Sequence, residues 1–258
     1  MPRNENAARA AVIEAGHRLL ENKLIARTWG NISARISDTE FVITPSGRAY
    51  DTLKQGDLVR VAISDLSYKG DMKPSSEKGI HAAAYALRDD VNFVIHTHQF
   101  YASAVCAEEE STPFAPCALY GLPGTGKLCE NVKRCIETNP DKKMFLMAKH
   151  GTLCLGSDLE DAFAVAEELE EKCRLLYEKR AAENISKGER KPWIDDYAQI
   201  VGNGLKSPPE EDIDAVRMIS EKNAAAAKYV RNAKPIGTFD LLLQRGVYLM
   251  KYSKQKNA

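Results

Sequence analysis

The sequence predicts an α/β or α+β fold in which strands and helices are interleaved around a layered sheet. Short apolar or β-branched runs bounded by turn residues predict the strands NISARI, EFVITPSG, DLVRVAI and VNFVIHTH. Helical spacing of apolar residues predicts the helices between and after them. With 258 residues, the chain is long enough for one large domain, or for one domain with an extension.

The predicted elements follow one another as helix, three strands, helix, strand and then further helices and strands. The first helix is expected over about residues 6–21, where apolar residues keep helical spacing. Pro74-Ser75-Ser76 precedes the alanine-rich helix EKGIHAAAYALRDD, for which a serine is the N-cap candidate. YASAVCA and LCENVKRCIET are predicted helices, and KKMFLMAKHGTLCLG predicts a strand, a turn and a strand. A long charged helix is predicted from residue 158 to about residue 185, and further helices follow residue 188.

Charge, hydropathy and cysteine usage exclude several classes of protein. The 36 acidic and 36 basic residues cancel, so no basic surface for nucleic acid is indicated. No apolar run approaches the roughly 20 residues of a membrane span, and the N-terminus is typical of an amphipathic helix, not of a signal peptide. The six cysteines form no CxxC pair, so they are expected to be reduced thiols and not zinc ligands. We therefore expect a cytoplasmic protein without membrane or nucleic-acid partners.

Three histidines at strand ends are candidates for a metal site. His96 and His98 are two residues apart at the end of an apolar strand, so their side chains face the same side. His150 follows the apolar run MFLMA and precedes Gly151, which is also a strand end. Three histidines with an open position are typical of catalytic zinc, although an edge strand and a plain β-turn explain the same residues. His17 is expected to pack, and His81 to form a structural hydrogen bond.

Three small polar turns are candidates for anion binding. PSSE stands at a helix start, where exposed N–H groups and the helix dipole favour an anion, although simple capping explains it as well. GNIS and TPSG can present further donors, or be ordinary turns. GLPGTGK fits the start of a phosphate-binding P-loop, but Leu128 stands where that motif needs serine or threonine. We do not expect a nucleotide site there.

Taken in order, GNIS, TPSG, PSSE, HTH and HG resemble the class II aldolase/adducin family over roughly residues 8–185. The resemblance implies an α/β fold, layered α/β/α, with a central, mostly antiparallel sheet. It also implies a family domain over residues 1–188. Residues 189–258 are then a C-terminal helical extension that packs on the same domain or on a neighbouring subunit.

The resemblance also implies roles for individual residues. His96, His98 and His150 would bind one divalent metal, zinc or else manganese or cobalt, and Glu77 would be the acid/base. Tyr120, lent by a neighbouring subunit, would transfer the proton at the leaving oxygen, which implies a homo-oligomer, a cyclic tetramer. The phosphate of the substrate would be bound by Asn31, Ser46, Gly47, Ser75 and Ser76.

The activity implied is retro-aldol cleavage of a ketose 1-phosphate, such as fuculose 1-phosphate or a deoxy-pentulose 1-phosphate, to dihydroxyacetone phosphate and an aldehyde. Other reactions known on this scaffold stay open: a pentulose-phosphate 4-epimerase, a sugar-acid phosphate decarboxylase and a thio-sugar phosphate dehydratase. Epimerases of the family usually carry an aspartate after HTH, and EEESTPFAPCALY shows no clear counterpart. An adducin-like binding module is the non-enzymatic alternative, but such domains tend to lose the metal histidines.

Overall fold

The computed structural model describes residues 4–25, 29–106 and 110–186 of the chain. The C-terminal extension, and the helices expected in it, lie outside these residues. In the described part, no helix is both long and apolar enough to cross a membrane.

Every helix and strand predicted in these ranges is confirmed, and a short additional strand, β5, is present. The five α-helices of the described residues are α1 (Glu5–Glu21), α2 (Lys78–Leu87), α3 (Phe100–Cys106), α4 (Gly126–Thr138) and α5 (Leu159–Ser186). The strands are β1 (Asn31–Arg35), β2 (Glu40–Ile43), β3 (Val59–Ala62), β4 (Phe93–Thr97), β5 (Cys117–Ala118), β6 (Met144–Met147) and β7 (Gly151–Gly156).

The start of α2 differs from the expectation of a serine N-cap. Glu77 occupies the N-cap position, and its side chain makes no capping hydrogen bond. The Ser75 hydroxyl instead accepts a hydrogen bond from the backbone N–H of Glu77, at 3.2 Å. The serine therefore orders the turn before the helix, and the Glu77 carboxylate is left for other contacts.

The strands form one seven-stranded sheet in the order β3-β2-β1-β4-β7-β6-β5. All neighbours are antiparallel except β5 and β6, which are parallel. β5 is short and lies at the edge, consistent with the prolines of PFAPCALY, since a proline cannot donate to a central ladder. The mostly antiparallel sheet confirms the predicted fold class.

Helices cover both faces of the sheet, because residues alternate along each strand and both sets are apolar. Ile32 of β1 and Ile95 of β4 pack in one core with α1, α3 and α5. Val94 of β4 and Leu153 of β7 pack in the other with α2 and α4. The result is a three-layer α/β/α arrangement. Asn31 and His96 are directly opposite each other in the register of β1 and β4. The pairing of these two strands therefore places two of the predicted site residues side by side.

Candidate metal centre and active site

The three predicted metal-binding histidines meet at one end of the central strands. His96 lies in β4, His98 directly follows that strand, and His150 lies in the turn between β6 and β7. The centroids of the three rings are 4.9, 4.9 and 5.0 Å apart, which is nearly an equilateral triangle. All three side chains are buried, and their candidate ligand atoms lie within 4.8 Å of one another. The cluster could bind one metal ion.

The chemistry of the ring nitrogens fits a metal. His96 Nδ1 lies 2.7 Å from the carbonyl oxygen of Thr152. Because a carbonyl can only accept, Nδ1 carries the proton and Nε2 has its lone pair directed into the cluster. This Nε2 atom is buried and has no hydrogen-bond partner among the described residues, nor has the Oε1 atom of Glu77. A cation bound between them would satisfy both atoms.

Glu77 lies against this cluster. Its Oε1 is 3.1 Å from His150 Nε2, and its Oε2 is 3.2 Å from His96 Nε2. The structure thus places a buried carboxyl group beside these imidazoles.

The GNIS turn approaches the histidine strand very closely. Gly30 has a φ of +104°, and a Cβ atom there would lie only 2.4 Å from the carbonyl oxygen of His96. Only glycine is accommodated at this position. Trp29, next to it, has its ring centroid 6.0 Å from that of His98, and it adds an aromatic wall that the sequence did not single out.

Backbone hydrogen bonds join the TPSG and PSSE turns. The N–H of Ser46 donates to the carbonyl of Lys73 at 3.0 Å, and that of Ser75 donates to the carbonyl of Thr44 at 3.1 Å. TPSG is tied to β1 as well, because the Thr44 hydroxyl accepts from the N–H of Ile32 at 3.2 Å. The three polar turns therefore come together at the end of the sheet where Glu77 lies. Of the predicted phosphate-binding residues, Ser46, Gly47 and Ser76 are half-buried, and Ser75 and Asn31 are buried.

Asn31 is engaged within the protein. Its Nδ2 donates to Oε2 of Glu77 at 3.0 Å, and its Oδ1 lies 2.5 Å from Nε2 of His81. The structural hydrogen-bonding role expected for His81 is confirmed.

His17 was expected to pack, but it lies exposed on α1.

Tyr120 lies outside this cluster. It follows edge strand β5 and is partly exposed, and the ammonium of Lys149 lies 5.5 Å from its ring centroid. Its backbone carbonyl accepts a hydrogen bond from Asn131 at 2.9 Å. The GLPGTGK segment that follows leads into α4, whose N-cap is Thr125.

Sequence reasoning missed two partners of the site, Ser33 and Tyr85. Ser33 Oγ lies 2.6 Å from His81 Nδ1 and 2.7 Å from the Tyr85 hydroxyl. The available signal was spacing: Asn31 and Ser33 share a strand face, and Glu77, His81 and Tyr85 recur every four residues.

Comparison with known proteins agrees with this geometry. Residues 10–177 match the family described as Class II Aldolase and Adducin N-terminal domain. The chain is 30% identical over 185 residues to the 5-deoxy-D-ribulose 1-phosphate aldolase of Bacillus thuringiensis serovar kurstaki, a match that covers 67% of this chain and 85% of that protein.

Two further similarities concern related reactions. The chain is 29% identical over 189 residues to the 3-oxo-tetronate 4-phosphate decarboxylase of Haemophilus influenzae, covering 66% of this chain and 87% of that protein. A solved structure of an L-fuculose 1-phosphate aldolase superposes with a TM-score of 0.60 at 29% identity, covering 69% of this chain and 87% of the other.

Proposed function

Because the chain belongs to the Class II Aldolase and Adducin N-terminal domain family, we propose that it is a metal-dependent aldolase that cleaves a ketose 1-phosphate into dihydroxyacetone phosphate and an aldehyde. The observation that carries the proposal is the position of the Glu77 carboxylate between His96 and His150, beside the turns that contain the candidate phosphate-binding residues. Relatives with fuculose 1-phosphate or 5-deoxy-ribulose 1-phosphate in their names support this substrate class.

His96, His98 and His150 would hold one divalent metal ion, for which zinc is our first choice and manganese or cobalt the alternatives. When bound, such an ion supplies Lewis-acid chemistry for the carbonyl and hydroxyl oxygens of the substrate. All three imidazoles and Glu77 are buried, so an ion held there would be shielded from bulk solvent.

The protein residues account for phosphate binding and for two proton transfers. Ser46, Ser75 and Ser76, with the backbone around Gly47, would anchor the phosphate and so fix the sugar carbons relative to Glu77. Cleavage removes a proton from the hydroxyl that becomes the aldehyde and adds one to the carbon left behind, so no net proton is consumed. We assign the transfer at oxygen to Tyr120 and the transfer at carbon to Glu77.

Tyr120 would act on the active site of a neighbouring subunit. His96 lies in β4, and β5 is three strands away in the sheet. At about 4.8 Å per strand, the start of the Tyr120 segment is roughly 14 Å across the sheet from the His96 strand of its own chain. An assembly with head-to-tail contacts, such as a cyclic tetramer, would bring this tyrosine to the next site.

Two further assignments belong to this proposal. The family match ends at residue 177, which supports a family domain over residues 1–188, followed over residues 189–258 by an extension that would pack on the same domain or on a neighbouring subunit. None of the six cysteines, all within the described residues, forms a disulfide, and reduced cysteines support a cytoplasmic location.

A decarboxylase is the second candidate, favoured by the similarity to the 3-oxo-tetronate 4-phosphate decarboxylase.

A single assay distinguishes the aldolase from the decarboxylase. Zinc-loaded protein is incubated with fuculose 1-phosphate, 5-deoxy-ribulose 1-phosphate and a 3-oxo-tetronate 4-phosphate in turn, with dihydroxyacetone phosphate and carbon dioxide measured in each. Dihydroxyacetone phosphate from a ketose 1-phosphate supports the aldolase. Carbon dioxide from the acid, with no cleavage of either ketose, would overturn it in favour of the decarboxylase.

A further inference from the structure

Two rows of polar residues face each other between α2 and β1. Glu77, His81 and Tyr85 are four residues apart, so they share one face along α2 and its N-cap. Asn31 and Ser33 are two residues apart and share one face of β1. All five side chains are buried. Polar groups at this depth are stable only where they hydrogen-bond to one another.

The two rows make one continuous chain of hydrogen bonds that ends on the carboxylate. The Tyr85 hydroxyl lies 2.7 Å from Ser33 Oγ, which lies 2.6 Å from His81 Nδ1. On the other side of the ring, His81 Nε2 lies 2.5 Å from Asn31 Oδ1. Asn31 Nδ2 then donates to Glu77 Oε2 at 3.0 Å.

Each proton in this chain has one consistent position. The Asn31 NH₂ group donates to Glu77 Oε2 at 3.0 Å, so the amide carbonyl oxygen faces His81. Nε2 of His81 must therefore carry a proton. Because the amide oxygen of Asn31 takes the Nε2 proton and burial lowers the pKa of His81 to about 3, the ring is neutral and its Nδ1 accepts from Ser33. The Ser33 oxygen in turn accepts from Tyr85.

We propose that His81 is a positioning residue of the active site: its Nε2–H fixes the Asn31 amide, and Asn31 holds Oε2 of Glu77, so that Oε1 faces His150. The inference rests on the proposed function, in which Glu77 transfers a proton. It gives Asn31 a duty besides phosphate binding, because both ends of its amide are engaged inside the protein. Phosphate recognition then falls chiefly to the serine turns.

The test compares His81→Leu, which removes both ring nitrogens, with His81→Gln, whose amide N–H can occupy the position of Nε2. We expect His81→Leu to lower kcat of the zinc-loaded enzyme by about 10- to 100-fold, since misplacement of a reacting group by about 1 Å has an effect of this size. KM and zinc content should change less than about twofold, because the phosphate turns and the three metal histidines are untouched. His81→Gln should recover most of kcat. His17→Leu, on the exposed face of α1, is the matched control and should behave as wild type.

A crystal structure of the His81→Leu variant gives a readout independent of activity. We expect the Asn31 amide to turn and its bond to Glu77 Oε2 to be lost. If the Glu77 carboxylate and Asn31 stay in place, or if kcat is unchanged, the inference is wrong. Equal losses in the leucine and glutamine variants, with a lower Tm in both, would also contradict it by indicating a purely structural role.

The role of His81 can still be tested if the proposed function fails or if the His81→Leu variant does not fold. If the wild type cleaves no ketose 1-phosphate, the proposed function fails, while the crystal comparison still decides the role of His81. If His81→Leu does not fold, Ser33→Ala tests the chain from its other end, because it removes the donor that keeps Nδ1 unprotonated. Its kcat should fall at least threefold with KM preserved, and an unchanged kcat would overturn the inference.

Discussion

The contacts of the histidine cluster differ in how far the sequence predicts them. Alternation along a strand predicts that His96 and His98 face the same side, and the structure confirms it. The link from Asn31 to Glu77 could not be predicted, because it depends on how α2 lies across β1. Residues 46 positions apart in the chain meet there only through the tertiary fold.

Removal of one imidazole should empty the metal centre. We expect wild-type protein, purified without added metal, to hold about one equivalent of a divalent metal per chain. His150→Ala should weaken metal binding by more than the roughly 10- to 100-fold typical of partners that only orient a ligand. Elemental analysis, with a competing chelator to obtain the affinity, measures both.

His17→Ala is the control, because this histidine is exposed and lies outside the cluster. If His150→Ala kept a full equivalent of metal, His150 would not be a ligand. If the wild type held less than about a tenth of an equivalent, and added Zn²⁺, Mn²⁺ or Co²⁺ produced no activity, the metal centre itself would be wrong.

At the scale of secondary-structure elements, the turns contribute proposed site residues just as the helices and strands do. The strand and helix positions were predictable because apolar residues repeat with the period of each element. The joining of TPSG to PSSE was not, since it depends on a bridge between Pro45 and Pro74 that pairs two segments almost thirty residues apart. The serine N-cap prediction failed for a related reason: Ser75 bonds to the N–H of Glu77, one position before α2 begins.

The PSSE turn should contribute to phosphate binding. We expect Ser76→Ala to raise KM for a phosphorylated substrate by about 10- to 100-fold, because a hydrogen bond to a charged group contributes about 1.5–3 kcal/mol. The inhibition constant of the dephosphorylated sugar should stay the same in this variant. Steady-state kinetics with both compounds provide the comparison.

Ser64→Ala, at an exposed serine after β3, is the matched control and should leave KM unchanged. A dephosphorylated sugar that bound the wild type as tightly as its phosphate ester would remove the phosphate role from these turns.

For the whole molecule, the two helical layers were predictable, and the strand order was not. Helices interleaved with strands must cover a sheet, so the layered class follows from the order of elements. The order β3-β2-β1-β4-β7-β6-β5 depends on which edges meet after collapse, and local sequence does not encode this. It is also this order that places Tyr120 at an edge, three strands from His96.

Subunit exchange tests whether Tyr120 completes the active site of a neighbour. Glu77→Gln chains and Tyr120→Phe chains should each be inactive alone. In an equal mixture, one site in four should pair an intact Glu77 with an intact Tyr120 from the next chain. Activity should therefore return to about a quarter of the wild-type value, as expected for head-to-tail contacts with random assembly. If Tyr120 served its own chain, no mixture would recover, since neither kind of chain carries both groups. Light scattering on the same samples supplies the assembly state, and an active monomer would refute the arrangement in trans altogether.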